Sequence, residues 1–256
     1  MAIQSVNRAI DILFLFSGAR PFLGITEISD VLGLTKPTVH GLVQTLTGRG
    51  FLNQDPETRK YSLGLKIYEL GTFLASTLKV NQVGAIPAHR LANSVNHMTR
   101  LAIWDQSSAL VTLNILPGTK IRNYQQLGPR VPAYCSAAGK AILASLPEKE
   151  IADYCKRTAL IPYTDNTITD KRRLLKELKK IKQQGFSDDH EEYLPGIACV
   201  SCPVFDHTGQ PAAAISVSSI PEMIFGNDLK KITEEMKDTA REISRSMGYM
   251  PKTAPP

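Results

Sequence analysis

Apolar positions near the start of the chain fall in three short helical arcs. Val6, Ile10, Leu13 and Phe14 make one stripe, which Ser5 can cap and which ends near Ser17 and Gly18. A shorter arc, capped by Thr26, carries Ile28, Val31 and Leu32, and Gly33 is placed to end it in a left-handed turn. The third follows at once in "GLTKPTVHGLVQTL". At about 100° per residue, Val39, Leu42, Val43 and Leu46 share an arc and are expected to face a core. The opposite arc holds Pro37, Gly41, Gln44 and Gly48, with Lys36, Thr38, His40 and Thr45 beside it. Pro37 belongs to the first turn, where an N–H has no intrahelical acceptor and its loss costs nothing. Gly41 is interior and costs about 1 kcal/mol relative to alanine. Four buried aliphatic side chains at roughly 1.5 to 3 kcal/mol each outweigh that cost. Two short helices joined by a Gly-containing turn form a helix-turn-helix, whose second helix enters the DNA major groove. His40 lacks a second metal ligand at i+3 or i+4, so an exposed polar or DNA-contacting role is expected for it.

The period then shortens. "GFLNQDPETRKYSLG" alternates around a corner at Asp55, Pro56 and Glu57, the mark of a β-hairpin, and a hairpin after a helix-turn-helix makes a winged helix. Arg59 and Lys60 fall near the wing tip and suit phosphate or minor-groove contact, simple solvation being the plainer alternative. "LGLKIYELGTFLASTLKV" is helix-compatible. Leu65, Tyr68, Leu70, Phe73, Leu74 and Leu78 are too numerous for one narrow face. A linker helix over 65–81 that also meets a partner subunit is expected, because helix-turn-helix proteins usually read two half-sites as dimers.

From about Val83 the texture changes. "HRLANSVNHMT" reads as helix, and "RLAIWDQSSALVTLNIL" as two strands broken at Asp105 to Ser108. "ACVSCPVFDHTGQPAAAISVSSI" gives two more around a turn containing Gly209. "DKRRLLKELKKIKQQG" is an amphipathic helix with Leu174, Leu175, Leu178 and Ile181 inward. Antiparallel hairpins with helices before and between them predict an α+β domain over 82–250, following a DNA-binding domain over 1–64, with 251–256 as a disordered tail.

Composition changes this picture little. The 256 residues are 43% hydrophobic and 21% charged, an ordinary soluble mixture, and no run approaches the roughly 18 apolar residues a membrane helix needs. The apolar stretch from Ile10 to Ala19 resembles a signal-peptide core, but Asp11 interrupts it and only Arg8 precedes it with positive charge. The net charge of +6 permits a nucleic-acid partner, yet most of the surplus lies on the solvated face of the 170–184 helix. Four cysteines are too sparse for a disulfide framework, so a reducing cytoplasm is expected.

The candidate chemistry centres on "VPAYCSAAGKAILASLPEKEI". Ser136 starts a helix there, and the small Ala137, Ala138 and Gly139 leave its amides open to a carboxylate or phosphate. A P-loop fails, since Tyr134 stands at the first glycine position and Ala141 replaces the Ser/Thr that holds Mg²⁺. Cys199 and Cys202 form a C-x-x-C, but strand alternation puts them on opposite faces, which favours ordinary buried or pocket-lining thiols over zinc or redox chemistry. Loop solvation accounts for most of Asp188, Asp189, His190, Glu191 and Glu192. No serine nucleophile has a base and orienter at a recognisable spacing.

Taken in order, "SVNRAIDILFLF", "ITEISDVLGLTKPTVHGLVQTL", "GFLNQDPETRKYSLG", "VPAYCSAAGKAILA" and "GFSDDHEEYLPGIACVSCPVFDHTGQPAAAISVS" resemble successive signatures of the IclR family of bacterial transcriptional regulators, from Ser5 to about Gly248. The resemblance implies a winged helix-turn-helix, a linker helix and a GAF-like (profilin-like) effector-binding domain built on an antiparallel sheet. It implies a repressor or activator of a catabolic or metabolic operon; the alternative is a small-molecule enzyme or a thiol or zinc sensor attached to a winged-helix module. On the regulator reading no enzymatic activity, metal, cofactor or membrane partner is expected. Its partners are double-stranded operator DNA, a small-molecule effector, commonly a carboxylic acid, and further copies of itself as a homodimer or dimer of dimers. Family effector contacts fall on Ala137 and Ala138 at the helix started by Ser136, and on Asp189, Cys199, Ser216 and Ser218. DNA contacts are expected from Thr26, Lys36, Thr38, His40, Gln44, Thr45, Arg59 and Lys60. Two positions depart from the family: Tyr134, where histidine is common, and Gly41, where the recognition helix often carries arginine.

Overall fold

The structure, a computed structural model, describes residues 2–105, 107–118 and 130–250, so the tail expected over 251–256 lies outside the described residues. The chain divides into two compact units, Met1–Ser76 and Thr77–Pro256.

The first unit runs α1 (Gln4–Phe14), α2 (Ile25–Leu32), α3 (Lys36–Gly48), β1 (Leu52–Gln54), β2 (Tyr61–Leu63) and α4 (Leu65–Thr77). Its core gathers Ile12, Leu23, Ile28, Val39, Val43, Leu46, Leu52 and Tyr61. The expected arc of α3 turns inward: Val39 and Val43 are fully buried and Leu42 packs against the same cluster. Gly33 ends α2 at φ +62°, a conformation that favours glycine.

Three local expectations are corrected. Helix α1 begins at Gln4 after Ile3, so Ser5 sits inside it instead of capping it. Its inward face is that of Ile12 with Ala9 and Leu13, and Phe16 just beyond the helix packs on the same cluster, while Val6, Ile10 and Phe14 are exposed, Phe14 by 80%. The helix is apolar on two sides, and periodicity cannot say which side meets the core. Helix α2 is capped at Gly24, whose N–H donates to Glu27 Oε2 at 2.6 Å, and Thr26 lies in the first turn. A glutamate reaching back to the cap amide supplies half of a capping box without any hydroxyl residue. Helix α4 has no buried residue and ends at Thr77, short of 81; Leu78 is extended and a new helix starts at Lys79.

In the wing, Leu52 pairs with Leu63 and Gln54 with Tyr61. Tyr61 also exchanges backbone hydrogen bonds of 2.8 and 3.0 Å with Leu23, which adds a third short chain segment. The corner is tied by Asp55 Oδ1, which accepts from the Thr58 N–H at 2.6 Å and the Glu57 N–H at 3.1 Å.

The second unit comprises α5 (Lys79–Val95), β3 (Met98–Asp105), β4 (Ser108–Ile115), β5 (Arg130–Pro132), α6 (Ala137–Ser145), α7 (Glu148–Arg157), α8 (Lys171–Gln184), β6 (Ser187–His190), β7 (Ala198–Phe205), β8 (Pro211–Ser219), α9 (Pro221–Ile224) and α10 (Leu229–Ser246). The two hairpins read from the sequence are its central strands. Short β5 and β6 extend them to one antiparallel sheet of order β5-β4-β3-β8-β7-β6. Alternation gives the sheet two different faces. Leu101, Val200, Cys202, Val204, Ala213, Ile215 and Val217 pack with α5 and α10 residues such as Leu91, Ile232, Met236 and Ile243. On the other face Ala102 and Ala214 receive Ala138, Ala141 and Ile142 of α6. Helix α8 buries Leu174, Leu178 and Ile181, but Leu175 is exposed. No helix among the described residues is long and apolar enough to cross a membrane.

Helix α6 comes so close to the turn before it that only glycine fits at position 139. A Cβ there would lie 2.3 Å from Ala133 Cα and 2.7 Å from Ala133 O, both backbone atoms that cannot swing away. Gly139→Ala is expected to cost about 1 to 3 kcal/mol through overpacking, seen by calorimetry as a lower melting temperature of the full chain. An unchanged melting temperature would show that this approach is looser than described.

Candidate functional site

Two surfaces bear the residues singled out above, one in each unit. In the first unit, Lys36, His40, Gln44 and Thr45 of α3 are exposed on the arc opposite the core, around Pro37 and Gly41, and Thr38 is half-buried. Nothing lies within 4 Å of a Cβ built on Gly41, so this face is open. Two hydroxyls are engaged locally: Thr38 Oγ1 lies 2.9 Å from Thr35 Oγ1, and Thr45 Oγ1 donates to Gly41 O at 2.9 Å. Thr26 is exposed at the start of α2. On the wing, Lys60 Nζ is 3.3 Å from Glu27 Oε2. The Gly24 N–H and then Lys60 hold the Glu27 carboxyl below its usual range. Arg59, in contrast, makes no ion pair among the described residues and sits at φ +59°, a position that favours glycine.

In the second unit, Ser136, Ala137, Ala138, Asp189, Cys199, Ser216 and Ser218 all line one cavity. Ser136 caps α6: its Oγ accepts from the Gly139 N–H at 3.3 Å and donates to Pro132 O at 2.7 Å. With Gly139 and Lys140 bonded to Ser136, the amides of Ala137 and Ala138 are the first-turn donors left without an acceptor among the described residues. Ser187 Oγ donates to Ala137 O at 2.6 Å and ties the start of α6 to β6. Strand register brings the floor together, with Cys199 opposite Asp189 on one side and Ser218 on the other. Cys199 Sγ and Ser218 Oγ are 3.0 Å apart.

Asp189 and Glu192 are not loop-solvated as the sequence suggested; both are about 5% exposed. Glu191, at φ +59°, turns the chain so that the Glu192 N–H donates to Asp189 Oδ1 at 2.7 Å. Glu192 is ion-paired to the fully buried Lys140 of α6. Burial first, and then the Glu192 carboxylate, push the Asp189 carboxyl up to about 7. Cys202 lies on the opposite sheet face from Cys199, as alternation demanded, and burial raises both thiols to about 12. All four cysteines are free. Tyr134 lies away from the cavity; its hydroxyl donates to Ile161 O at 2.7 Å.

Sequence reasoning missed Arg100, Tyr193, Leu194 and Ile197, which also line the cavity. For Arg100 a signal existed, since a charge near the start of the strand run "MTRLAIWD" is unusual for a sheet interior. Among the described residues no group of three or more His, Cys, Asp or Glu is gathered as for a metal.

The model for the IclR helix-turn-helix domain matches residues 5–56, and that for the bacterial transcriptional regulator IclR C-terminal region matches residues 72–245. The chain belongs to the IclR family of bacterial transcriptional regulators. It is 32% identical over 247 residues to the HTH-type transcriptional regulator XynR of Escherichia coli, covering 96% of this chain and 98% of XynR. It is also 32% identical over 246 residues to KipR of Bacillus subtilis, with the same coverage. The crystal structure of Thermotoga maritima IclR superposes with a TM-score of 0.77 at 29% identity, over 97% of this chain and all of that one. The IclR fold, a helix-turn-helix domain followed by an antiparallel-sheet domain with flanking helices, is the α+β arrangement described above.

The raised Asp189 carboxyl has a measurable consequence. An unfolded aspartate releases its proton near 3.9, whereas native Asp189 holds it to about 7. Between these values the native state binds more protons, so this residue's contribution to stability falls as pH rises. Asp189→Asn removes that dependence. Its melting temperature is expected to gain on the wild type's from about pH 4 to about pH 7 and then hold a constant lead. A gap that does not change with pH would mean that Asp189 ionises as an ordinary carboxyl.

Proposed function

We propose that this IclR-family regulator reads double-stranded operator DNA with α3 and its wing, and that a small carboxylic acid bound in the sheet cavity tunes that reading. The observation that carries the effector half is the convergence of seven expected residues on one cavity where Ala137 and Ala138 present unanswered amides. These amides hold the carboxylate, favoured by the helix dipole, and Asp189 engages a hydroxyl of the ligand. On the DNA side, Lys36, Thr38, His40, Gln44 and Thr45 address base edges while Thr26, Arg59 and Lys60 address phosphates. Lys60 must share its charge with Glu27, which leaves Arg59 the stronger wing contact.

The active form is a homodimer or a dimer of dimers on a palindromic site. Supporting this, α4 exposes Leu65, Tyr68, Leu70 and Phe73, and α1 exposes Val6, Ile10 and Phe14, large apolar side chains that a second copy could cover. Free, buried thiols fit a reducing cytoplasm. Regulation then needs only that the effector bind two arrangements of the assembly with different affinity.

The purified protein is expected to retard a fragment of its own upstream DNA, with affinity that falls as salt rises. No retardation at low salt would sink this reading. Gln44→Ala should weaken specific binding more than non-specific, whereas Arg59→Ala should weaken both and reduce the salt slope by about 1. Equal losses in the two variants would refute that division. Asp189→Ala should abolish the ligand response and spare operator binding; a ligand titration like the wild type's would remove Asp189 from the pocket.

A further inference from the structure

One charge in the cavity has no countercharge among the described residues. Arg100 lies on β3, an interior strand of the sheet, in register with Ser216 on β8. It is 7% exposed, yet its Nε has no hydrogen-bond partner among the described residues. The hydrogen bond its guanidinium makes, from Nη2 to Met98 Sδ at 3.6 Å, uses a weak acceptor. The acids nearby are committed elsewhere: Asp189 accepts from the Glu192 backbone, and Glu192 is paired to Lys140. Among the described residues no carboxylate forms an ion pair with Arg100. Burial disfavours its charged form, but a guanidinium does not give up its proton within a protein. A buried cation left in this condition destabilises the empty protein, and an arriving anion removes the penalty.

The same cavity contains the open amides of Ala137 and Ala138, which under the reading above take one carboxylate. Two separate positions in it therefore favour negative charge, one at a helix start and one on a strand. Resting on that reading, we propose that Arg100 receives a second anionic group, so that the effector is a short dicarboxylic acid and not a monoacid. The planar guanidinium can donate two parallel bonds to a carboxylate, and Ser216, its register partner, adds a hydroxyl. Size points the same way. The cavity has only about 30 Å³ of free space, so its occupant is short and the lining must move apart to admit it.

The test uses the full-length protein at constant ionic strength. Oxalate, malonate, succinate, glutarate and malate are titrated by calorimetry and thermal shift against acetate, propionate, butyrate, valerate and 3-hydroxybutyrate. The wild type should bind at least one diacid about tenfold or more tightly than its matched monoacid. Arg100→Met should erase that preference, retain the monoacid affinity, and melt no lower than the wild type without ligand. Equal affinity for matched diacids and monoacids, or a preference that survives in Arg100→Met, overturns the assignment of Arg100 alone. If neither set binds while operator DNA is still retarded, the carboxylate reading of the pocket falls with it. Should Arg100→Met fail to fold, Arg100→Gln removes the charge and keeps a polar head. A lost diacid preference there supports the proposal, and an undiminished one overturns it.

Discussion

Strand alternation in β3, β7 and β8 is the constraint from which the effector unit follows. With a period of two, every residue is committed to one of two faces, and here the faces differ in kind. Leu101, Val200, Val204, Ile215 and Val217 fill one side with branched carbon and lock α5 and α10 against it. Arg100, Cys199, Ser216 and Ser218 alternate with them and leave the other side small and polar. Helix α6 covers that side but cannot fill it, because its own first turn is Ala137, Ala138 and Gly139. The cavity is thus the space that small side chains on two facing elements fail to occupy. Gly139 sets how near α6 can come, and Ser187 pins its start to β6.

The buried charges follow from the same arrangement. Lys140 lies on a helix with no water on any side, so its ammonium must be answered from within, and Glu192 does so. Removing either partner of such a pair leaves a charge stranded, typically at about 3 to 5 kcal/mol. Asp189, buried beside this pair, keeps its proton far longer than a surface aspartate, first because burial disfavours its charge and then because Glu192 is already negative. The loop that carries Glu192 to Lys140 is therefore also what tunes Asp189.

What could be read from the sequence, and what could not, divides along physical lines. The inward arc of α3 was legible because Val39, Val43 and Leu46 recur at helical spacing and polar or glycine residues fill the opposite arc. The opposed Cys199 and Cys202 followed from alternation alone. By contrast α1 is apolar on two sides, and choosing Ile12 over Val6 and Ile10 requires knowing where α3 lies. Strands β5 and β6 are three and four residues long, too short for a periodic signal, and exist because a neighbouring strand offers hydrogen bonds. Ser136, Ala137 and Ala138 were legible as the open start of a helix, whereas Asp189, Cys199, Ser216 and Ser218 came from family likeness, and the gathering of all seven is a matter of register between distant segments. Arg100 escaped notice for that reason: only the strand order reveals that it has no acid across from it.

The cysteines carry a consequence for the cell's chemistry. A thiol held near pKa 12 is ionised to only about one part in 10⁵ at neutral pH, and the thiolate is the nucleophile that attacks peroxides and disulfides. Cys199 and Cys202 are also walled off from solvent on opposite sides of a sheet, too far apart in orientation to join. Neither thiol therefore offers oxidants a ready point of attack, although one lines the effector cavity itself.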